Sequence, residues 1–200
     1  MPTEYKQADF IMTGKTKNDI QLIDLGLPSG TLWADRNIGA DSPEDYGDYF
    51  RFGETIPYTE DSRPYKFYDI TSDIAGTDKD AATVILGEEF RMPTIIQIRE
   101  LVTECSRQWA KVYDIKGIKV TGPNGNSIFL PAAGLRDYNF GSLNRVGTHG
   151  FYWTTSPYLN NSNFGRNLVL DSSDWDWYDF FRAFGFPVRA VKGFKKARTI

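Results

Sequence analysis

Over the first half of the chain, apolar residues come in short separated bursts, the pattern of half-buried strands and an amphipathic helix. Ile20 to Leu25 (IQLIDL) and Thr31 to Ile38 (TLWADRNI) both read as strands, and the Gly26-Leu27-Pro28-Ser29-Gly30 link between them suits a reversal. Asp48 to Phe52 is a third short strand candidate, and residues 55–77, rich in Tyr, Thr, Asp and Pro, predict a long irregular connection. Two helices follow. Lys79 to Leu86 has an acidic start at Asp78 and a stop at Gly87. The next is signalled more strongly, because Thr94 and Gln97 stand in capping-box spacing and can each satisfy a free amide at a helix start. Ile95, Ile98, Leu101, Val102 and Cys105 then fall on one face.

Beyond Val112 the pattern becomes β. Ile115 to Thr121 and Ser127 to Leu130 flank Gly122-Pro123-Asn124-Gly125-Asn126, whose Asn-Gly pair favours a hairpin turn. Further strands are expected at Gly150–Thr155, Arg166–Leu170 and Pro187–Val191. The stretch Asp174 to Phe186 (DWDWYDFFRAFGF) fits neither period: alternation holds for Trp175 and Trp177 and then breaks, and on a helical wheel its rings occupy every side. Rings so crowded cannot all enter one core. Some are therefore expected to face water, and an exposed aromatic cluster marks a contact surface.

A length of 200 residues suits one compact domain with a substantial core or one domain plus a short extension, and no internal repeat or boundary is visible after residue 20. Residues 1–19 read as a polar arm and 193–200 as a basic, solubilising tail. A formal charge of −3 supplies no field that would gather nucleic acid or an anionic membrane. No apolar run approaches a membrane span, and MPTEYKQADFIM lacks the pattern of a secretory signal. With Cys105 the only cysteine and His149 the only histidine, an intrachain disulfide, a multi-His zinc site and an HExxH motif are ruled out. From Val120 to Val191 there is no Lys, Glu, Gln or Met. Charge there comes from Asp and Arg, with Asn, Ser, Gly and Tyr in the loops, a mixture like that of an antibody paratope. Loop-rich β structure favours the same residues.

Taken together, IDLGLPSGTLWADRNIGA (23–40), SPEDYGDYFRFGET (42–55), DAATVILGEEFRMPT (80–94), GPNGNSIFLPAAGLR (122–136), GFYWTTSPY (150–158) and GFPVRAV (185–191) resemble the Fibrobacter-type major paralogous domain of gut Bacteroidetes and their phages. The match runs in order over about residues 20–192. That family is similar to the formylglycine-generating branch of the C-type lectin fold. The resemblance implies an α+β domain: two helices packed on antiparallel strands, the terminal strands paired, and a long irregular loop region that carries binding.

Some such domains are variable proteins of diversity-generating retroelements, in which Asn codons near the C-terminus are rewritten to codons ending in C or T. Trp, Lys, Glu, Gln and Met cannot arise that way. Residues 158–165 (YLNNSNFG) and 178–184 (YDFFRAF) obey this restriction at every position, and GFPVRAV looks like the invariant end that follows. The resemblance implies ligand-binding loops near 137–184. The face would be built from Tyr158, Asn160, Asn161, Asn163 and Phe164 with Asp176, Tyr178, Asp179, Phe180, Phe181, Ala183 and Phe184. Trp175 and Trp177 would join them as fixed anchors, and Arg182 would brace the loop through backbone carbonyls or an Asp. The expected partner is a protein or glycan on a bacterial surface, and the expected carrier a phage tail or a cell-surface assembly. A non-diversified surface domain with a structural or glycan-adhesion role is the alternative.

No cofactor, metal or catalytic residue is expected. Asp171, Asp174, Asp176 and Asp179 could offer oxygen ligands, yet the EF-hand pattern is absent and solvated loop carboxylates are the simpler reading. Formylglycine-generating enzymes use a pair of cysteines, whereas Cys105 is alone and reads as a small buried apolar residue. His149 sits in a Gly-rich loop without a nucleophile signature, and the pairs Glu44–Asp45 and Glu88–Glu89 read as solvated.

Overall fold

The computed structural model describes residues 20–193, so the arm at 1–19 and all but the first residue of the basic tail lie outside the described residues. In chain order the elements are β1 (Leu22–Asp24), β2 (Leu32–Asn37), β3 (Tyr49–Phe50), α1 (Ala81–Leu86), α2 (Ile95–Glu104), β4 (Ser106–Val112), β5 (Ile115–Thr121) and β6 (Ser127–Pro131). They continue as β7 (Leu135–Arg136), β8 (Leu143–Asn144), β9 (Gly150–Pro157), β10 (Phe164–Leu170), β11 (Trp175–Phe181), β12 (Phe186–Pro187) and β13 (Arg189–Lys192). The architecture is α+β, with two helices beside antiparallel sheets ordered β1-β2-β13, β11-β10-β9, β4-β5-β6, β12-β3 and β7-β8. The first and last described strands thus share a sheet, with Val191 opposite Trp33 and Arg189 opposite Asn37. Among the described residues, no helix is long and apolar enough to cross a membrane.

Two hydrophobic cores, not one, organise the molecule, and the β9–β10–β11 sheet divides them. Successive residues of a strand point to opposite faces. Accordingly Phe151 and Trp153 enter one core with Phe50, Phe52 and Phe186, while Tyr152 between them enters the other with Trp33, Ile98 and Leu130. On β10, Leu168 and Leu170 go to the second core and Val169 packs against the first. On β11, Trp175 belongs to the second core with Trp177 packed against it, and Phe180 packs against the first. A sheet covered on both faces needs no polar side, so its strands lose the alternation by which half-buried strands are recognised. This corrects the aperiodic reading of 174–186: most of the segment is a strand, with Trp175 and Trp177 at one core, Phe180, Phe184 and Phe186 at the other, and Tyr178 facing water.

Both helices form, with one change of cap. In α2 the Thr94–Gln97 capping box is present, and Ile95, Ile98 and Leu101 are buried with Val102 and Cys105 packed against them. α1 is capped by Asp80, whose Oδ1 accepts from the amides of Ala82 (3.0 Å) and Thr83 (3.2 Å), not by the exposed Asp78. The β5–β6 hairpin closes over the expected Asn-Gly turn. β4 goes beyond the sequence reading: it is the outer strand of its sheet, and its Arg107, Gln108 and Lys111 mask the apolar Trp109 and Val112. From Arg51 to Asp80 the chain contains no helix or strand, as the irregular connection predicts.

Candidate ligand-binding face

The tight turn from β9 to β10 sets down the first group of expected residues. Tyr158 N–H donates to the Phe164 carbonyl (3.1 Å) and Phe164 N–H to the Asn161 carbonyl (3.0 Å). Asn161 Oδ1 accepts from Asn163 N–H at 3.0 Å, an Asx turn that assigns this side chain to the loop itself. Asn160 and Asn163 stay exposed, Leu159 is 71% exposed, and Tyr158 and Phe164 are partly buried. Gly165 follows where a Cβ would come within 2.5 Å of the Phe52 ring, so this end of the 158–165 stretch belongs to the scaffold.

β11 runs antiparallel beside β10, pairing Phe164 with Phe181 and Asn167 with Tyr178. The two expected segments are therefore neighbours. Asp179 stands opposite Arg166 with 3.6 Å between their charged atoms, and the Arg166 guanidinium lies 5.9 Å from the centre of the Tyr158 ring. Phe181 is the hub of the aromatic cluster. Its ring meets Tyr138 (5.3 Å), Phe67 (5.5 Å), Phe164 (6.2 Å) and Phe184 (6.4 Å), the distances of edge and tilted aromatic contacts. Phe67 and Tyr138 are about half exposed and nearby Phe140 is 77% exposed, so a ring-rich surface faces solvent here. Tyr178 is exposed on the opposite face of β11 from Asp179.

Other expected members lie elsewhere. Trp175 is buried and Ala183 is buried, so neither presents its side chain to a ligand. Trp177 packs towards α2, with the Arg99 guanidinium 5.0 Å from its ring centre. Asp176 caps the amide of Trp177 (2.7 Å), as Asp174 caps that of Trp175 (2.8 Å). β11 is an edge strand, and these carboxylates cover amides that would otherwise stand open. Phe180 lies partly beneath the face, in ring contact with Phe151, Phe184 and Phe186. Phe67, Tyr138 and Phe140 were not singled out by sequence reasoning. The signals were the Tyr-rich aperiodic run at 55–77 and the paratope-like composition around 137–140, but only the fold places Phe67 and Tyr138 beside Phe181.

Arg182 braces this face from within. Fully buried, it donates through Nε to the Phe164 carbonyl (3.0 Å), through Nη1 to Tyr68 (3.3 Å) and through Nη2 to Ile70 (3.0 Å). Its guanidinium lies 4.9 Å from the Phe52 ring centre, while its own amide and carbonyl bind Asn163 and Phe52. Burial lowers its pKa, opposed by the fields of Tyr65 and Asp69. One side chain thereby ties the β9–β10 turn, the 55–77 connection and the end of β11 together.

The residues weighed for chemistry are otherwise engaged. Asp171 Oδ1 accepts from Ser173 and Asp174 amides and the Ser173 hydroxyl, which lowers its pKa. His149 stacks on Phe151 and lies 3.9 Å from Asp171, and the adjacent Thr148 hydroxyl donates to the Arg145 carbonyl. Burial, aided by Glu100 and Glu104, pushes the Cys105 thiol up to about 11. At pH 8 roughly one molecule in a thousand then carries the thiolate. Iodoacetamide should therefore label folded Cys105 far more slowly than the urea-unfolded chain at pH 8, as intact-mass spectrometry would record; equal rates would mark a reactive thiol. A comparison of the chain with protein-family models, curated proteins and solved structures finds no match in any of the three.

Proposed function

We propose that this chain is a non-catalytic receptor-binding protein of C-type lectin fold, the hypervariable target of a diversity-generating retroelement. It binds a protein or glycan on a bacterial surface and is carried by a phage tail or a cell-surface assembly. The fold reading draws support from the pairing of β2 with β13, the helices against antiparallel strands and the long irregular 51–80 segment. One observation carries the functional reading: the two sequence segments that obey the codon restriction, 158–165 and 178–184, lie side by side and expose aromatic, Asn and Asp side chains. Rings supply contact area and the short polar groups directional hydrogen bonds, while the braced backbone limits the ordering cost of binding.

A specific observation favours the alternative, a non-diversified bacterial surface domain with a structural or glycan-adhesion role. Arg182 and Ala183 are buried within the second segment, where free rewriting would damage the scaffold. A second copy of the locus from the same population separates the readings. Diversification predicts differences clustered at exposed Asn160, Asn163, Tyr178 and Asp179 and at half-buried Tyr158 and Phe181. It also predicts constant Trp175, Trp177 and Arg182, and a nearby template differing at adenines beside a reverse-transcriptase gene. Scattered differences with no template would leave the adhesion reading.

A further inference from the structure

The irregular connection also builds an open cleft of about 430 Å³ whose lining includes Arg51, Glu54, Ser62, Arg63, Tyr68 and Lys79. No ring of the Phe181 cluster lines it. Arg51 fixes its shape. The guanidinium donates from Nε to Glu54 Oε2 (2.7 Å), places Nη2 at the same oxygen (2.7 Å) and donates from Nη1 to the Arg63 carbonyl (2.9 Å). The Tyr58 and Tyr65 rings lie 4.4 and 5.5 Å from it. A buried ion pair thus forms part of the cleft wall.

Two features of this wall are left unmet. Glu54 is 8% exposed, and its Oε1 is buried without a hydrogen-bond partner among the described residues, a state native folds seldom leave uncompensated. With Oε2 already held by Arg51, what Oε1 lacks is a neutral donor such as a hydroxyl. At the rim, Arg63 is exposed and pairs with no carboxylate among the described residues. Lys79 adds a second rim cation, 3.2 Å from Asp78 and 5.8 Å from the centre of the Tyr68 ring. An acceptor wanting a hydroxyl, an Arg63 wanting an anion beside a Lys79 that Asp78 holds only at an exposed rim, and a Tyr ring able to lie along a C–H face form one set of requirements. A hydroxylated ring bearing an acidic group meets them all.

We propose that this cleft is a binding site for an anionic saccharide, with hydroxyls towards Glu54 and Ser62 and the acidic group at Arg63 and Lys79. The proposal does not rest on the aromatic face or on diversification of its loops. It is tested on the full chain by following amide shifts of Gly53 and Arg63 while titrating methyl glucuronide, glucose 6-phosphate, methyl glucoside and inorganic phosphate. Saturable shifts are expected with one or both acidic sugars, at least about tenfold weaker binding of the neutral glucoside, and a further loss of about tenfold in Arg63→Ala. Glu54→Gln should weaken the sugar but not inorganic phosphate. If that variant does not fold, Lys79→Ala joins Arg63→Ala as the second reporter, since both alter only the rim. Absence of saturable shifts with either acidic sugar would overturn the proposal, as would equal binding of the glucoside, or inorganic phosphate binding as tightly as the sugar. Phe181 amide shifts report the aromatic face separately, so either site can fail alone.

Discussion

Arg182→Met is expected to lower the unfolding free energy by about 3 kcal/mol in urea titrations, and to loosen the aromatic face before the rest of the fold gives way. Methionine nearly preserves the volume, so the cavity term is small. The loss comes from the carbonyls of Phe164, Tyr68 and Ile70, which have no replacement donor. Each orphaned buried carbonyl costs about 1 kcal/mol or more, partly offset because a buried charge without a carboxylate partner no longer has to be desolvated. Arg182→Lys keeps the charge but not the fork, and should lose about half as much. Because the three carbonyls belong to different segments, faster amide exchange should appear first at 158–164 and 65–70. A Met variant within about 0.5 kcal/mol of the parent, or one loosened uniformly, would show that Arg182 is not the brace.

Asp80→Ala should be still more damaging, by about 4 kcal/mol. Its carboxylate caps α1 and also accepts from Met92 N–H through Oδ1 (3.0 Å) and from Gly76 N–H through Oδ2 (2.9 Å). Alanine removes a cap, typically about 1 kcal/mol, and strands two further amides at a fully buried position. Asparagine keeps an oxygen for Ala82, Thr83 and Met92, and should cost less than half as much. The charge is not what the fold gains from this residue. Burial raises the Asp80 pKa above its ordinary 3.8, although the donated amides from Gly76, Met92 and Thr83 pull it down. As pH falls through that raised value the native state takes up its proton before the unfolded chain does. Stability from this group therefore rises on acidification and reaches its limit below 3.8, and it does not drive acid unfolding. Parallel urea titrations of the parent and Asp80→Asn across that range check the sign; a gap in stability that narrows as pH falls would reverse it.

Local signals were legible in the sequence wherever one element could be read by itself. The Thr94–Gln97 box and the 122–126 turn declare their elements because the contacts that make them span only a few residues. β11 was not legible, since its pattern makes sense only once the two cores on either side are known, and neither is visible from 174–186 alone. The aromatic face divides in the same way. Asn160 and Asn163 lie in a turn and are open, as residues in such a turn should be, and Tyr158 at its start is half-buried. Whether Phe180 or Phe181 reaches the surface depends on Phe151 and Phe186 beneath one and Phe67 and Tyr138 beside the other, contacts that cross the whole chain. The bracing by Arg182 was anticipated through backbone carbonyls, but which carbonyls depended on the path of 55–77.

Any protein displayed in many copies at close quarters risks having its molecules stitch together along bare sheet margins. The carboxylates at 174 and 176 already occupy the hooks on the margin of β11 where such stitching would begin. Two amides of this margin are thus engaged within the molecule itself, which leaves fewer open hooks for pairing with the same margin of another copy.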